Sequence, residues 1–599
     1  MVFAIFFRFY NYNEFSLSND ELSAVIRLNF NSLSEVIDNG IRPDGHPAGA
    51  EILLYFWTKY FGLTVSSIRF PFVLISCFAP LFAFLFMKRL FGYSPALFLA
   101  AAIAFLEFPI LYSQIARPYG IGLTFVLMAT YFWAELIFVN HNSKSKKILL
   151  AFLLSVSWAL SLYTHYFASL TVVIIGITGL FYLNKSIIKY YLASGIGSII
   201  LFIPHLQITM HQLSLGGVGQ WLGAPDNLWI WHHIIYIFNN SIYLFAFLIA
   251  IISAIYILNF KIKFRFSSLQ FVLITWFLLP FLIGFLYSKF INPVLQNSVL
   301  IFSMPFFLAF IFSFIPKNFS TSNSVVFILL FTTISADTFL FEKYYQKQHF
   351  AEFKAITEIL NDCQNKFKNQ KILNLANVNT LEYFKFYEKS FGKEINFSGS
   401  SYKSNADLWK LKSILDTTTA DYISFSDLQN NSSSMTLSII ESKFPDIIYE
   451  KHFADISSIY LFNRHSIKND SINFINNNSL NINENIYSND EYYCPSKIKL
   501  PKFSKKTLEI YCRYNFESSA DTSACHLVVD IQDVNGNSKL WQSLPLKYIS
   551  SKNIKNEALF HKFIEMKMNH NWVKIYIWNS KKEFIKAQKI NIFIGLKDR

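Results

Sequence analysis

The chain has 599 residues, of which 53% are apolar, 18% aromatic and only 15% charged, whereas a soluble protein of this length carries about a quarter charged residues. Net charge is +14, but much of the excess lies in short gaps between apolar runs, which points to membrane topology rather than to a polyanion and excludes nucleic acid as a partner. Residues 1–341 are almost wholly apolar segments and 342–599 read as ordinary soluble sequence, so a membrane domain precedes a water-soluble region long enough for two small folds.

Residues 2–10 resemble the end of a first span and are too short to cross alone. A cleaved signal peptide fits poorly, because no small-residue cleavage site follows. A polar stretch, Asn11 to Glu21, comes next and ends in the acidic pair Asp20–Glu21. Residues 47–61 are too short to span and begin with Pro, which suits a first helical turn. Their mixed aromatic and polar character predicts a helix lying in the outer interface. A spanning helix needs about 20 apolar residues. Candidates lie near 70–87, 95–112, 119–139, 148–165, 167–183, 190–210, 234–258, 269–290, 298–316 and 324–341. With the N-terminal segment this predicts a polytopic α-helical membrane protein of about eleven spans.

Lys/Arg placement sets the orientation. Alternate gaps hold Lys88 and Arg89; Lys144, Lys146 and Lys147; Lys185 and Lys189; Lys261, Lys263 and Arg265; and Lys317. These gaps are predicted to be cytoplasmic. The Asp20 loop, the 112–118 gap, the 211–233 loop and the whole of 342–599 then lie outside.

The exterior region divides in two. Residues 342–463 mix helical patterns (Ala351 to Leu360) with strand-like runs (Ile372 to Ala376, Tyr422 to Phe425), which predicts a small α/β unit. Residues 464–497 read as an Asn-rich linker. Residues 498–599 alternate as strands at Leu508–Tyr514, His526–Ile531, Trp572–Trp578 and Ile590–Ile594, with Asn535-Gly536 as a turn, which predicts a C-terminal β-sandwich. Five cysteines include no CxxC pair. Cys512 and Cys525 pair only if this domain faces an oxidising space; two unrelated thiols are the equal alternative.

Four outward-facing constellations carry candidate chemistry. In Ser18-Asn-Asp-Glu, a carboxylate at the outer edge can act as general base toward a hydroxyl or amine, and helix capping is the bland alternative. In Arg42-Pro-Asp-Gly-His-Pro, Asp44 and His46 bear titratable groups able to hold a divalent ion, although a lone Asp-x-His is weak evidence for a metal, and a structured turn whose polar groups bond to backbone is the bland alternative. In Ser113-Gln-Ile-Ala-Arg-Pro-Tyr, Arg117 sits at membrane depth beside Gln114 and Tyr119; a guanidinium there suits a lipid phosphate, and interfacial snorkelling is the alternative. His165, in Tyr163-Thr-His-Tyr, lines a cavity or marks a helix end. The glycine-rich loop from Gly216 to Gly223 lacks the Gly-Lys-Ser/Thr of a P-loop and reads as a mobile lid or a connector.

Taken in order, these motifs resemble a known family. A short first span, Ser18-Asn-Asp-Glu, Asp44-Gly-His-Pro, Leu53-x-x-x-Trp-x-Lys-x-Phe-Gly, Arg69-Phe-Pro and Ser113-Gln-x-x-Arg-x-Tyr look like the bacterial branch of the dolichyl-phosphate-mannose–protein mannosyltransferases. That branch includes the lipid A aminoarabinose transferases, and both belong to the GT-C superfamily of membrane glycosyltransferases. The resemblance covers about residues 1–341 and is strongest over 16–122.

It implies a GT-C-like transmembrane catalytic domain in the plasma (inner) membrane, with a polyprenyl-phosphate-linked sugar as donor and a lipid, glycan or protein as acceptor on the exterior face. It implies Asp20 as the base with Glu21 beside it, Arg117 on the donor phosphate with Gln114 and Tyr119 in support, and Asp44, His46 and His165 lining the cavity. The chain departs from the pattern before the 298–316 span, where Asn292 to Ser298 has no Arg-Tyr pair; either Lys289 is the substitute or the donor differs. Two rivals remain: a polytopic lipid or glycan transporter, against which no second copy of the Asp-Glu or Ser-Gln-x-x-Arg pattern occurs, and a membrane-anchored polysaccharide-binding protein, which leaves Asp20 and Arg117 unexplained.

Overall fold

The polar stretch after residue 10 folds back on the apolar segments around two charges. Arg69 and Glu21 form a buried pair at its centre, and the helices assemble about them. The structure is a computed structural model. It describes residues 1–598 apart from 216–221, 260–265, 318–320, 393, 403–404, 430–431, 433–434, 442, 445, 455, 466–485, 489–490, 501–505, 519–524, 546–555, 566–569 and 583–584. The chain separates into two units, residues 1–347 and 348–599.

In the first unit the site is carried by α1 (Val2–Phe9), α2 (Asn19–Ile26), α3 (Gly49–Phe61), α4 (Val65–Ser76) and α5 (Pro118–Phe138). Ser18 caps α2: its Oγ accepts the Glu21 amide at 3.2 Å, and the Glu21 carboxylate accepts the Ser18 amide at 2.9 Å. This capping box satisfies two orphan amides reciprocally. The cap is therefore Ser18, and Asp20 stands inside the first turn. Pro47 precedes α3, and Gly62, at φ +81°, ends it.

Six helices among the described residues are long and apolar enough to cross a membrane: Val65–Phe91, Pro118–Phe138, Lys144–Thr164, Ile188–Ser214, Ser268–Phe290 and Ser324–Phe341. Two bent pairs bring the number to eight if each counts as one span. The expected count of about eleven is thus not confirmed among the described residues, and the backbone of four candidates departs from a single straight span. The 95–112 candidate breaks at Leu106, whose extended backbone turns the chain by 58° between Tyr93–Phe105 and Glu107–Ser113. The 234–258 candidate bends by 76° beside Asn239 and Asn240, both left-handed at φ 56°, a region asparagine tolerates. The 298–316 candidate is a 3₁₀ turn (Ser298–Phe302) followed by a nine-residue helix. The 167–183 candidate is a shorter apolar helix.

Several polar side chains inside this unit have partners at depth. Arg8 of α1 donates to the Ile103 carbonyl at 2.9 Å. Arg89 meets Glu135 at 2.6 Å. Trp276, wholly buried and edge-on to Trp133, donates to Thr178 at 2.9 Å. Each removes a group that bare hydrocarbon would leave unsatisfied.

The second unit contains three four-stranded sheets. The first runs β1-β2-β4-β3, from β1 (Ile372–Asn377), β2 (Tyr422–Asp427), β3 (Asp446–Phe453) and β4 (Ser457–Asn463). β1 and β2 are parallel and the other pairs antiparallel. Leu375, Leu411, Ile423, Phe425 and Phe462 form its core. The remaining strands are β5 (Ile486–Ser488), β6 (Tyr492–Lys499), β7 (Lys506–Ser518), β8 (Cys525–Gln532), β9 (Ser538–Pro545), β10 (Asn556–Glu565), β11 (Trp572–Asn579) and β12 (Ile585–Asp598). They make two antiparallel sheets, β10-β7-β12-β5 and β6-β11-β8-β9. Period-2 alternation of burial shows in β11, where Val573, Ile575 and Ile577 are buried and Trp572, Lys574 and Trp578 less so, whereas β8 is buried continuously from Leu527 to Ile531. Gly536, at φ +85°, turns β8 into β9, with Asp533 accepting the Asn535 and Asn537 amides. Cys525 Sγ lies 3.3 Å from Asn579 Oδ1. The Cys512 side chain, the core of the 464–497 linker and most of the Gly216 loop lie outside the described residues.

Candidate active site

Three segments converge: the first turn of α2, the loop entering α3, and the loop entering α5. Glu21 joins the first to the third. Its Oε1 accepts Arg69 Nε at 2.8 Å and the Ala116 amide at 2.8 Å. Its Oε2 accepts Arg69 Nη2 at 2.8 Å and the Ser18 amide at 2.9 Å. All four acceptor positions are filled. The rest of Arg69 donates to the carbonyls of Tyr12, Phe15 and Ser16 at 2.9–3.0 Å. Glu21 thus has no lone pair for a substrate, and its geometry is that of a positioning residue. Because Asp20 precedes Glu21 and Arg117 follows Ala116, one carboxylate fixes both. Asp20 is exposed. Its carbonyl lies 3.4 Å from Arg117 Nη1, and its charge acts on Arg117 and Tyr119.

The loop entering α3 brings Asp44 and His46 to the same place. Asp44 Oδ2 lies 3.1 Å from Arg27 Nη2 and 3.2 Å from His46 Nδ1. His46 Nδ1 lies 3.2 Å from Arg117 Nη2 as well. A single ring nitrogen donates to Asp44 or accepts from Arg117, so the histidine tautomer chooses between them. The loop is held from behind by the Ile188–Ser214 helix. Gln212 donates to the carbonyls of Ile41 and His46 at 2.9 and 2.8 Å, and His205 Nε2 accepts the Ala48 amide at 2.9 Å. A Cβ on Gly49 would stand 2.5 Å from the Tyr163 carbonyl oxygen, so α3 starts there only because residue 49 is glycine.

Glu51, on the first turn of α3, completes the cluster. It is 2% exposed, and its Oε1 is 3.6 Å from both Arg27 Nη2 and Arg117 Nη1. Neither of its oxygens has a hydrogen-bond partner, nor has Nε of either arginine. His165 closes one wall: its ring stands 5.3 Å from that of His46 and 5.7 Å from that of Tyr119. Its Nδ1 accepts the Phe167 amide, which leaves the proton on Nε2.

Asp20, Asp44, His46, Arg117, Tyr119 and His165 are therefore brought together. Gln114 is not: its amide nitrogen donates to the carbonyls of Phe7, Arg8 and Tyr10, and its oxygen accepts Tyr344 Oη at 2.8 Å. It caps α1. The candidate substitute Lys289 meets Asn227 and the Phe285 ring. Sequence reasoning missed Arg27 and Glu51. The signal present was a lone acidic residue two places after Gly49 in an otherwise apolar and aromatic helix.

Burial raises the Asp44 carboxyl, but His46, Arg117 and Arg27 outweigh it and hold it far below the carboxylate range. Burial and then the Asp44 charge push Glu51 up. Burial lowers Arg117, and Asp20, Asp44 and Glu51 more than restore it. Two neighbouring carboxyls are thus driven apart, Asp44 downward and Glu51 upward. Among the described residues no group of three or more His, Cys, Asp or Glu is placed to hold a metal.

Burial also acts to raise Glu21, yet Arg69 and the Ala116 and Ser18 amides take it below the ordinary 4.5. A depressed carboxyl contributes stability above its unfolded value and loses it as pH falls through the folded one. Thermal survival in detergent is therefore expected to be insensitive to this pair above pH 4.5 and to decline below it. Arg69→Ala, which strands a buried carboxylate, is expected to cost about 3–5 kcal/mol. Size-exclusion profiles after a heat step check both, and an Arg69→Ala protein with the wild-type melting point would overturn the assignment.

No family model matches the chain, and no curated protein matches it. Among solved structures it is similar to ArnT from Cupriavidus metallidurans in the apo state, with 8% identity, 77% of this chain and 96% of that chain covered, and a TM-score of 0.46. The same protein bound to undecaprenyl phosphate gives 10% identity, 77% and 97% coverage and a TM-score of 0.45. An Archaeoglobus fulgidus oligosaccharyltransferase gives 9% identity, 100% and 97% coverage and a TM-score of 0.38. These scores record likeness alone, and the reading of the site rests on its own geometry.

Proposed function

We propose that this chain is an integral-membrane glycosyltransferase that moves a sugar from a polyprenyl-phosphate donor to a lipid, glycan or protein acceptor on the exterior face of the membrane. One observation carries the reading: an exposed carboxylate, Asp20, and a buried guanidinium, Arg117, are held together by the same Glu21 carboxylate. A base and an anion-binding cation at fixed separation suit displacement of a phosphate from an anomeric carbon. The acceptor oxygen attacks that carbon from the face opposite the phosphate and gives its proton to Asp20. The carbon–oxygen bond to phosphate breaks with its electron pair on the phosphate, and Arg117 stabilises the developing charge. A single displacement of this kind inverts the anomeric centre. Tyr119, His165 and His46 bound the space, and Asp44 sets the orientation of His46.

Purified protein in nanodiscs, given radiolabelled polyprenyl-phosphate sugars and membrane extract, tests the reading. Asp20→Asn is expected to lower turnover by about 10²–10⁴ while donor binding persists; wild-type turnover in that variant removes Asp20 as the base. Arg117→Ala is expected to weaken donor binding by about tenfold or more and to leave acceptor binding nearly unchanged. Equal loss of both would mean a structural role. Wild-type protein that binds lipid or glycan yet consumes no donor would favour a transporter or binding protein instead.

A further inference from the structure

We infer that Arg27 and Arg117 form a two-guanidinium seat for a phosphate group, and that Glu51 is the resident anion which that phosphate replaces. The inference rests on the reading of Arg117 as the donor-phosphate residue and goes beyond it by assigning Arg27 and Glu51. The two arginines come from different segments, α2's C-terminus and the loop before α5, yet each places one nitrogen 3.6 Å from the same Glu51 oxygen. That distance is an ion pair and not a hydrogen bond. Both Glu51 oxygens and both arginine Nε atoms remain without partners although all are buried.

A buried guanidinium with unused donors is costly, and a carboxylate that cannot reach either fork does not repay the cost. A tetrahedral phosphate presents several oxygens on one centre and can accept from both forks at once, which a planar carboxylate between them cannot. The remaining contacts hold the arginines in place: Arg27 bonds Ser23 Oγ at 2.7 Å and Asp44 at 3.1 Å, and Arg117 meets His46. Arg27 and Asp44 are partly exposed, with side chains 21% and 14% accessible, whereas Glu51 and Arg117 lie deeper at 2% and 4%. An anion thus reaches Arg27 first and Glu51 last.

Replacement matters because of what transfer produces. The donor is a phosphodiester with one negative charge, and the released lipid is a phosphomonoester with about −1.5 to −2. Two arginines alone would hold the product more tightly than the substrate. Glu51, returning to its charged form between them, opposes that hold.

The test is binding of inorganic phosphate and of farnesyl phosphate to the full chain in nanodiscs. Glu51→Gln keeps the shape and removes the charge; it is expected to bind farnesyl phosphate about tenfold tighter. Arg27→Gln is expected to bind about tenfold weaker, and Arg27→Lys, which keeps charge and loses the fork, to fall between. Asp38→Asn, the same charge change at a surface pair with Arg42, is expected to match wild type. A gain in Glu51→Gln with farnesyl phosphate alone supports a lipid headgroup, and a gain with both ligands supports recognition of the phosphate itself. Wild type binding farnesyl phosphate with Glu51→Gln unchanged or weaker overturns the role of Glu51 and leaves Arg117 standing. Wild type binding neither ligand overturns the donor reading together with this one.

Discussion

The buried ion pair between Glu21 and Arg69 is the interaction on which the rest of the site depends. It uses all five guanidinium donors and all four carboxylate acceptor positions. Such a pair is weak evidence for stability, since its desolvation cost is large. Its value here is geometric. It ties the polar segment 12–21, the helix α4 and the 114–118 loop into one object, and it sets Asp20 and Arg117 as immediate chain neighbours of residues it holds. An acidic pair that looks like two equivalent carboxylates in sequence is thereby divided in function. One member is spent on structure so that the other can face outward at a defined place.

A second division of labour runs through Asp44 and Glu51. Both lie near the same two arginines, but Asp44 has hydrogen-bond donors and Glu51 has none. The first is therefore held as an anion and the second is raised. Two carboxyls whose environments push them apart are a common mark of a working site. Here the asymmetry follows from reach: Asp44 sits on a loop that can approach Arg27, and Glu51 is fixed by its helical turn.

Much of this was legible in the sequence, and the failures have physical reasons. Asp20, Arg117, Asp44, His46 and His165 stand in polar or turn-rich interruptions between apolar runs, where polarity at membrane depth has few bland explanations. The strands at Leu508, His526, Trp572 and Ile590 were readable from period-2 alternation. Gln114 was read together with its motif neighbours, which face the site, while its own side chain faces α1. Arg27 and Glu51 were passed over because their partners are distant in sequence, and only folding brings them together. Straight spans were not legible where Leu106 and the Asn239–Asn240 pair bend the backbone inside apolar runs.

The attachment of the Asp44–His46 loop to the Ile188–Ser214 helix has a mechanical consequence. Only 22% of that helix's spanning stretch is buried, while its C-terminal part grips Ile41, His46 and Ala48 through Gln212 and His205. A helix so exposed adjusts its tilt to hydrocarbon thickness. Each degree of tilt moves the loop it grips, and with it the nitrogen that His46 shares between Asp44 and Arg117. In a bilayer, a change in that tilt would act on the charge balance of the site through this loop.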